Sequence, residues 1–235
     1  MTATSDDYRG GFATTRWSII TRFGGDAGED PSRALAELCA RYRYPVYAYL
    51  RALSHAPPVA LEIADRFLAH IRTQPPARAS GGRQFREFLL ARLRAWPIAD
   101  SRASADPADD RAAELERRYA RDRIASLAPE DVFHRGFALE VVVRAFERLR
   151  EEAHETGHGA MYDALGPFIA RDPASDEGEA LAAVLRTRPL AVVVALKRLR
   201  QRLYELASEE LADTVASADE LAREQRAMAD LLRGG

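Results

Sequence analysis

The chain has 235 residues, of which 47% are hydrophobic and 30% charged, and its formal net charge is −2. This composition excludes a disordered chain, because there are enough apolar residues to build a core, and it excludes a protein that is basic throughout. Cys39 is the only cysteine, which excludes a disulfide framework and a zinc site made of cysteines. No apolar run approaches the roughly 20 residues of a membrane-spanning helix, and the N-terminus has no basic-then-apolar leader. We therefore expect a soluble, cytoplasmic protein with no membrane partner.

Apolar residues recur at helical spacing along almost the whole chain, which predicts an all-α fold. Prolines indicate where the first helices begin, because proline is favoured in the first turn of a helix. A helix is expected after Asp30-Pro31 and another at Pro57-Pro58, while Pro45 kinks or breaks the first of them. A further apolar stripe, which ends just before a proline, consists of Phe85, Phe88, Leu89, Leu93 and Trp96.

The chain changes character between residues 98 and 128, where charges are many and large apolar residues are few. This composition predicts an exposed, charged linker that contains a marginal helix. Beyond it, Pro129 begins a long helix, Pro189 begins another, and the tail from Ala218 is amphipathic. The tail either covers an apolar surface of the same molecule or recruits a partner. The predicted organisation is two small helical domains, 1–99 and 128–217, joined by the linker 100–127 and followed by the tail 218–235.

The segment RTRPLAVVVALKRLRQRL, residues 186–203, contains the main functional signal of the second domain. Its three consecutive valines resemble a strand, but Pro189 fits the first turn of a helix and no place inside a central strand. At helical spacing one stripe faces the core, and it consists of Val192, Ala195, Leu196, Leu199 and Leu203. A short helix, a tight turn and this longer helix make a helix–turn–helix, an arrangement that often reads DNA.

Positive charge is concentrated between Glu179 and Glu205, where the chain has no acidic residue. The cations in this interval are Arg186, Arg188, Lys197, Arg198, Arg200 and Arg202. Phosphates attract such a patch, and salt weakens the attraction. We therefore expect these six residues to contact DNA. A basic, solvated helix packed on its neighbours has the same pattern, so this alternative stays open.

The sequence HETGH at residues 154–158 matches the H-E-x-x-H signature of zinc proteases. In that chemistry His154 and His158 bind zinc from one face of a stable helix, and Glu155 is the base. Gly157 inside the motif disfavours a helix, a second glycine directly follows the motif, and no third ligand stands out downstream. A zinc hydrolase is kept as a remote alternative. We expect no catalytic site, no metal and no cofactor.

Five segments, taken in chain order, together resemble one subgroup of the bacterial extracytoplasmic-function sigma factors of RNA polymerase. They are FATTRWSII (12–20), LAELCARYRYPVYAYLRAL (35–53), QFREFLLARL (84–93), APEDVFHRGFALEVVVRAFERLR (128–150) and the basic helix–turn–helix that ends in ELADTVAS (210–217). The resemblance runs over most of the chain, and FATTRWS and PEDVFHRGFALEVV are its more specific parts. It implies a sigma factor, not an enzyme. The first domain would bind the polymerase clamp and the proximal promoter element, and the second would read the distal element.

The resemblance also implies roles for individual residues in the first domain. The polymerase contacts that it implies are Glu62, Asp65 and Phe67. The DNA contacts that it implies are Arg92, Arg94 and Trp96. The basic run that usually follows is replaced here by PIADSRAS, in which a proline ends the helix.

The second domain departs from the family pattern at positions that matter for reading bases. Arg186 stands where the turn commonly has glycine, and Leu190 and Val193 replace small, polar or basic residues of the recognition helix. Base edges are read by polar side chains at the start and middle of such a helix. The alternative hypothesis is therefore a diverged sigma-like protein that binds polymerase or a regulator without promoter recognition. The expected partners are core RNA polymerase, promoter DNA and a regulatory protein or kinase.

Overall fold

A computed structural model describes residues 31–73, 85–97, 110–215 and 217–233 of the chain. These residues form ten α-helices and one short 3₁₀ helix and contain no strand, which confirms the predicted all-α fold. The first five helices are α1 (Pro31–Arg41), α2 (Arg43–Ala52), α3 (Pro57–Thr73), α4 (Phe85–Arg94) and α5 (Asp110–Asp122). The others are α6 (Pro129–Glu155), α7 (Gly159–Leu165), the 3₁₀ helix Gly166–Phe168, α8 (Ser175–Val184), α9 (Pro189–Ala212) and α10 (Ala218–Arg233). None of the described helices is both long enough and apolar enough to cross a membrane.

Prolines begin several helices, as the sequence predicts. Pro57, Pro129 and Pro189 are the first residues of α3, α6 and α9. The first turn of a helix has no internal partner for its N–H groups, so the missing N–H of proline costs nothing there. The expected interruption of the first helix is also present, because α1 and α2 are separated at Tyr42, three residues before Pro45.

The helices form two compact units, which we call unit 1 (residues 1–140 and 211–235) and unit 2 (residues 141–210). The division falls inside α6 and inside α9, and it places the tail in unit 1. It differs from the predicted division at 99/100, 127/128 and 217/218. The physical reason is that α5 and α10 make buried contacts with other helices of unit 1, so neither is a separate linker or tail.

The core of unit 1 is built around aromatic rings. The Tyr42 ring stacks on Phe137 at 4.8 Å and on Phe133 at 6.1 Å, and it meets Phe85 edge-on at 5.1 Å. Rings in these geometries attract each other beyond the gain from their burial. Cys39 lies in the same unit, is almost fully buried, and burial raises the pKa of its thiol to about 12. The junction of α1 and α2 is thereby fixed to α4 and α6.

Helix α5 lies within the segment predicted as an exposed linker, and here the structure differs from the prediction. Ala112 and Tyr119 are buried, so the helix packs against the rest of unit 1. Its Glu116 accepts hydrogen bonds from the guanidinium of Arg51 at 2.7 and 2.8 Å and from the hydroxyl of Tyr47 at 2.7 Å. At least this charge of the predicted linker therefore has partners elsewhere in the unit.

Helix α10 belongs to unit 1 and not to a separate tail. The guanidinium of Arg86 in α4 donates to the Glu224 carboxylate at 2.9 Å, and only 10% and 6% of the two side chains are exposed. Arg135 in α6 donates to the backbone carbonyl of Leu231 at 2.7 Å. Of the two alternatives left open for the tail, the described contacts favour packing within the same molecule.

Unit 2 has a smaller, aliphatic core. Its buried cluster consists of Ala145, Leu149, Leu165, Ile169, Ala182, Val192, Leu196 and Leu206. The aromatic rings of Phe146, Tyr162 and Phe168 are only partly buried against this cluster. The cluster brings together the C-terminal part of α6, the short helices between residues 159 and 184, and the N-terminal part of α9.

Candidate nucleic-acid interface

The turn between α8 and α9 is closed by backbone hydrogen bonds. The N–H of Thr187 donates to the carbonyl of Ala182 at 2.9 Å, and the N–H of Arg186 donates to the carbonyl of Ala183 at 3.2 Å. These bonds make a Schellman motif, whose residue after the C-cap adopts the left-handed conformation. Arg186 occupies that position with φ of +50°. A side chain there costs roughly 1–2 kcal/mol relative to the right-handed conformation, and glycine avoids this cost.

One stripe of α9 faces the core of unit 2, as the helical spacing predicts. Val192 and Leu196 are buried, and Ala195, Leu199 and Leu203 pack against the same cluster. The valine run is therefore part of a helix and not a strand.

The other apolar residues at the start of α9 are unusually exposed. Leu190 is 74% exposed, Val193 59% and Val194 42%. Singly exposed apolar residues are common, but three within two turns of one helix form a patch. An exposed apolar patch next to the exposed cations of the same helix indicates a surface for a partner.

Four of the six predicted DNA-contacting cations point away from any partner in the described part of the chain. They are Arg186, Arg188, Lys197 and Arg198, and all four are exposed. None of them makes an ion pair or side-chain hydrogen bond with a described residue. Their charge is therefore available to an anion from outside.

Arg200 makes hydrogen bonds within unit 2. Its guanidinium donates to the backbone carbonyls of Phe168, Ile169 and Arg171 at 2.7–2.9 Å and to the Asp172 carboxylate at 2.6 Å. Carbonyls at the end of a helix lack intrahelical donors, and an arginine supplies several at once. We therefore assign Arg200 to the closure of the chain after the 3₁₀ helix and leave it out of the candidate interface.

Arg202 is likewise tied to acidic neighbours. It donates twice to the Glu152 carboxylate in α6, at 2.8 and 2.9 Å, and also approaches Glu205 and Glu209 at 3.1 and 3.3 Å. These hydrogen bonds raise the pKa of Arg202 and lower the pKa of Glu152. The guanidinium of Arg202 is thus engaged by carboxylates of its own unit, so the group of exposed cations without a described partner ends at Arg198.

A groove of about 1140 Å³ runs beside the start of α9, inside unit 2. Its apolar lining is contributed by α6, α7 and α9 and includes Leu149, Ala153, Met161, Leu190, Val194 and Leu199. Three of the unpaired cations, Arg186, Arg188 and Arg198, line it as well. The sequence motifs do not predict this groove. The available signal was a second apolar stripe on α9, Leu190 and Val194, beside the core stripe.

The candidate residues of unit 1 meet at a smaller cavity of about 380 Å³. Trp96 and Arg92 line it together with Phe67, whose ring meets Trp96 edge-on at 5.4 Å. Phe67 is fully buried, so it supports this surface from beneath and does not touch a partner directly. Arg94 lies apart, in an ion pair with Glu130 at 3.2 Å.

The two acidic residues predicted to contact polymerase lie on α3 and are already engaged. The Asp65 carboxylate accepts from Arg43 at 2.8 Å and lies 3.6 Å from the guanidinium of Arg111. Glu62 lies 3.9 Å from Arg66 one helical turn away. Asp65 is still 37% exposed, so a partner can reach it without unfolding the helix.

The HETGH motif is divided by a turn. Helix α6 ends at Glu155, Gly157 has φ of +77°, and His158 precedes α7. His154 lies in the last turn of α6, so the two histidines do not share a helix face as the zinc chemistry requires. In the ranges described, no group of three metal-ligating side chains comes together.

The geometry of unit 2 thus combines an exposed helix start, an apolar groove and four cations that no described residue pairs with. Comparisons of the chain with protein-family models, with curated proteins and with solved structures find no match.

Proposed function

We propose that the protein is a transcription initiation factor of the sigma type, which binds core RNA polymerase and contacts promoter DNA with the start of α9. The observation that carries the proposal is a group of four exposed cations on and before α9 that have no partner among the described residues: Arg186, Arg188, Lys197 and Arg198. Phosphate contacts of this kind position a recognition helix, whereas base contacts specify sequence. The resemblance of five segments to sigma factors supplies the polymerase part of the proposal.

The base-reading capacity of α9 is limited in this proposal. Leu190 and Val193 have no hydrogen-bonding groups in their side chains, and they contact at most the methyl groups of thymine. Gln201, two turns beyond Val193 on the same side of the helix, donates its amide to the Glu205 carboxylate at 3.1 Å. Binding is therefore expected to depend mainly on phosphates and to discriminate weakly between sequences.

Two substitutions test the phosphate contacts directly. The double variant Lys197→Ala/Arg198→Ala should lower the slope of log affinity for duplex DNA against log salt by about 0.9 for each phosphate that is no longer neutralised. The measurement is fluorescence anisotropy of the full chain at several salt concentrations. Arg150→Ala is the matched control, because Arg150 is exposed in the same unit but lies on α6. Equal slopes for the double variant and the unchanged protein would remove α9 from the DNA interface.

A second candidate function is favoured by the apolar residues at Leu190 and Val193. In this function the chain binds polymerase or a regulator but recognises no promoter. Transcription in vitro with core polymerase separates the two candidates. A promoter-specific transcript that depends on this chain supports the sigma factor. Capture of core polymerase without any specific transcript supports the second candidate.

A further inference from the structure

Helix α9 presents two different exposed faces. Successive residues of an α-helix are about 100° apart, so Val193 and Val194 point in distinct directions. Leu190, Val194 and Arg198 line the groove, whereas Val193 and Lys197 do not. Of the four cations proposed to contact phosphates, Lys197 lies outside the groove, whereas Arg186, Arg188 and Arg198 line it. The groove and the proposed phosphate contacts therefore share these three arginines and differ in the apolar floor.

The floor of the groove is apolar and comes from three helices. Leu149 and Ala153 of α6, Met161 of α7, and Leu190 and Val194 of α9 lie around it. With about 1140 Å³, the groove exceeds the 300–1000 Å³ that is typical of small-ligand sites. It is open to solvent and does not enclose its contents. An open apolar surface of this volume can accommodate one face of a helix, which is about 10–12 Å across with its side chains.

The rim of the groove is cationic. Arg186, Arg188 and Arg198 line it without a partner in the described chain. The acidic residue of the lining, Glu152, is already paired with Arg202 at 2.8 Å. An occupant that matches this groove has an apolar stripe for the floor and carboxylates for the rim. Duplex DNA matches the rim alone, because its phosphates stay hydrated and leave the floor uncovered.

We infer that the groove is a docking site for an amphipathic helix with acidic flanks, supplied by a protein partner. This is the helix-in-groove mode, in which apolar residues at i, i+3, i+4 and i+7 enter the groove. The apolar N-terminal segment of this chain, residues 12–23, is a poor occupant because its charges, Arg16 and Arg22, are both positive. The docking site shares Arg186, Arg188 and Arg198 with the proposed phosphate contacts, but it depends on the apolar floor and so does not require that the chain bind DNA.

A designed peptide tests the inference on the full chain. The probe is a fluorescein-labelled helix of about four turns, roughly 14 residues, with leucine at the groove-facing positions and glutamate on both flanks. A second peptide has lysine in place of each glutamate. Fluorescence anisotropy should show saturable binding of the acidic peptide and at least about tenfold weaker binding of the basic one.

Neighbouring residues of α9 provide matched variants for this assay. Val194→Asp places a carboxylate in the groove and should weaken binding of the acidic peptide at least about tenfold. Val193→Asp places the same carboxylate one residue away, outside the groove, and should change the affinity less than about twofold. Both positions are exposed, and circular dichroism checks that both variants stay folded.

Three results would overturn the inference. The first is that the acidic peptide fails to bind, and the second is that Val193→Asp and Val194→Asp weaken its binding equally. The third is that the basic peptide binds as tightly as the acidic one. Duplex DNA is measured with the same variants. If only DNA binding responds to Val194→Asp, the groove is part of a DNA interface and the inference is wrong. Loss of DNA binding with peptide binding intact would count against the proposed function alone.

Discussion

Unit 1 buries large aromatic rings and charged pairs, whereas unit 2 leaves apolar side chains and cations exposed along α9. In unit 1, Tyr42 stacks within a closed aromatic cluster, and Arg86 and Glu224 pair in the interior. In unit 2, Leu190 and Val193 are more than half exposed, and Arg198 has no partner among the described residues. Buried charges are satisfied within a fold because leaving them unpaired is costly, but exposed ones remain free for another molecule. The difference therefore separates groups that hold the molecule together from groups that are available to a partner.

The largest expected effect is in unit 1. Glu224→Ala leaves the buried guanidinium of Arg86 without its carboxylate and should lower the free energy of unfolding by about 3–5 kcal/mol. Urea denaturation followed by circular dichroism measures the loss. Arg33→Ala is the control, since the ion pair of Arg33 with Glu37 is largely exposed and should contribute below about 1 kcal/mol. Equal losses for the two variants would contradict the assignment of the buried pair as structural.

Arg200 tests whether a cation of α9 is structural although its neighbours are not. Arg200→Ala removes the donors for three backbone carbonyls and for Asp172, and should destabilise unit 2 by about 2–3 kcal/mol. Faster amide exchange of residues 166–172 is the expected signature. Arg198→Ala, two residues away and without a described partner, should change stability by less than about 0.5 kcal/mol. A lower salt slope of DNA binding in Arg200→Ala, with unchanged exchange, would return Arg200 to the interface.

The pH dependence of stability tests whether His134 is held neutral in the interior of unit 1. Burial lowers the pKa of His134 below its ordinary value of 6.5, and the positive charge of Arg86 lowers it further. Arg94 acts in the same direction, while Glu87 and Asp131 oppose it. Because the unfolded chain takes up this proton more readily, the contribution of His134 to stability is intact above pH 6.5. It is lost as the pH falls below that value, with a slope of at most about 1.4 kcal/mol per pH unit.

The measurement is the free energy of unfolding of the unchanged protein and of His134→Gln between about pH 7.5 and about pH 5. This range includes the ordinary pKa of histidine. The substituted protein should lose less stability over this range, since glutamine has no proton to gain. Parallel curves for the two proteins would show that His134 is not held neutral in the folded state.

The smallest expected effect is a gain in stability in unit 2. The backbone of Arg186 is left-handed, with φ of +50°. Arg186→Gly removes the side chain that makes this conformation costly and should stabilise the turn by about 0.5–1 kcal/mol. The same substitution removes a cation, so the salt slope of DNA binding should fall by about 0.9. Thermal unfolding and anisotropy measure the two effects. A loss of stability would mean that the Arg186 side chain supports the turn.

Local signals in the sequence are sufficient to predict the helices. Pro57, Pro129 and Pro189 locate three helix starts, since the requirement for a first-turn residue is local. The spacing of Val192 and Leu196 identifies the buried stripe of α9, because one helix face repeats every three or four residues. These predictions need no knowledge of the rest of the fold.

The roles of the charged residues depend on distant parts of the chain and cannot be predicted in this way. Arg202 looks like a DNA contact in the sequence, but its partner Glu152 lies fifty residues earlier. Glu116 makes its segment look like a solvated linker, yet Arg51, which pairs with it, lies 65 residues away. The groove is unpredictable for the same reason, because its walls come from three helices. Sequence spacing thus predicts which face of a helix is buried but not which charges are already paired.

The single thiol of the chain can report on the opening of unit 1. Cys39 lies in the interior, and burial holds the pKa of its thiol near 12, so it is protonated and shielded from reagents in the folded state. Alkylation requires a thiolate that the reagent can reach, and therefore requires local opening around Cys39. Since no other cysteine is present in the sequence, the rate of labelling by an iodoacetamide dye counts the opening events of this one unit. Binding at α9 and local opening of unit 1 can then be measured in one sample without introducing another cysteine.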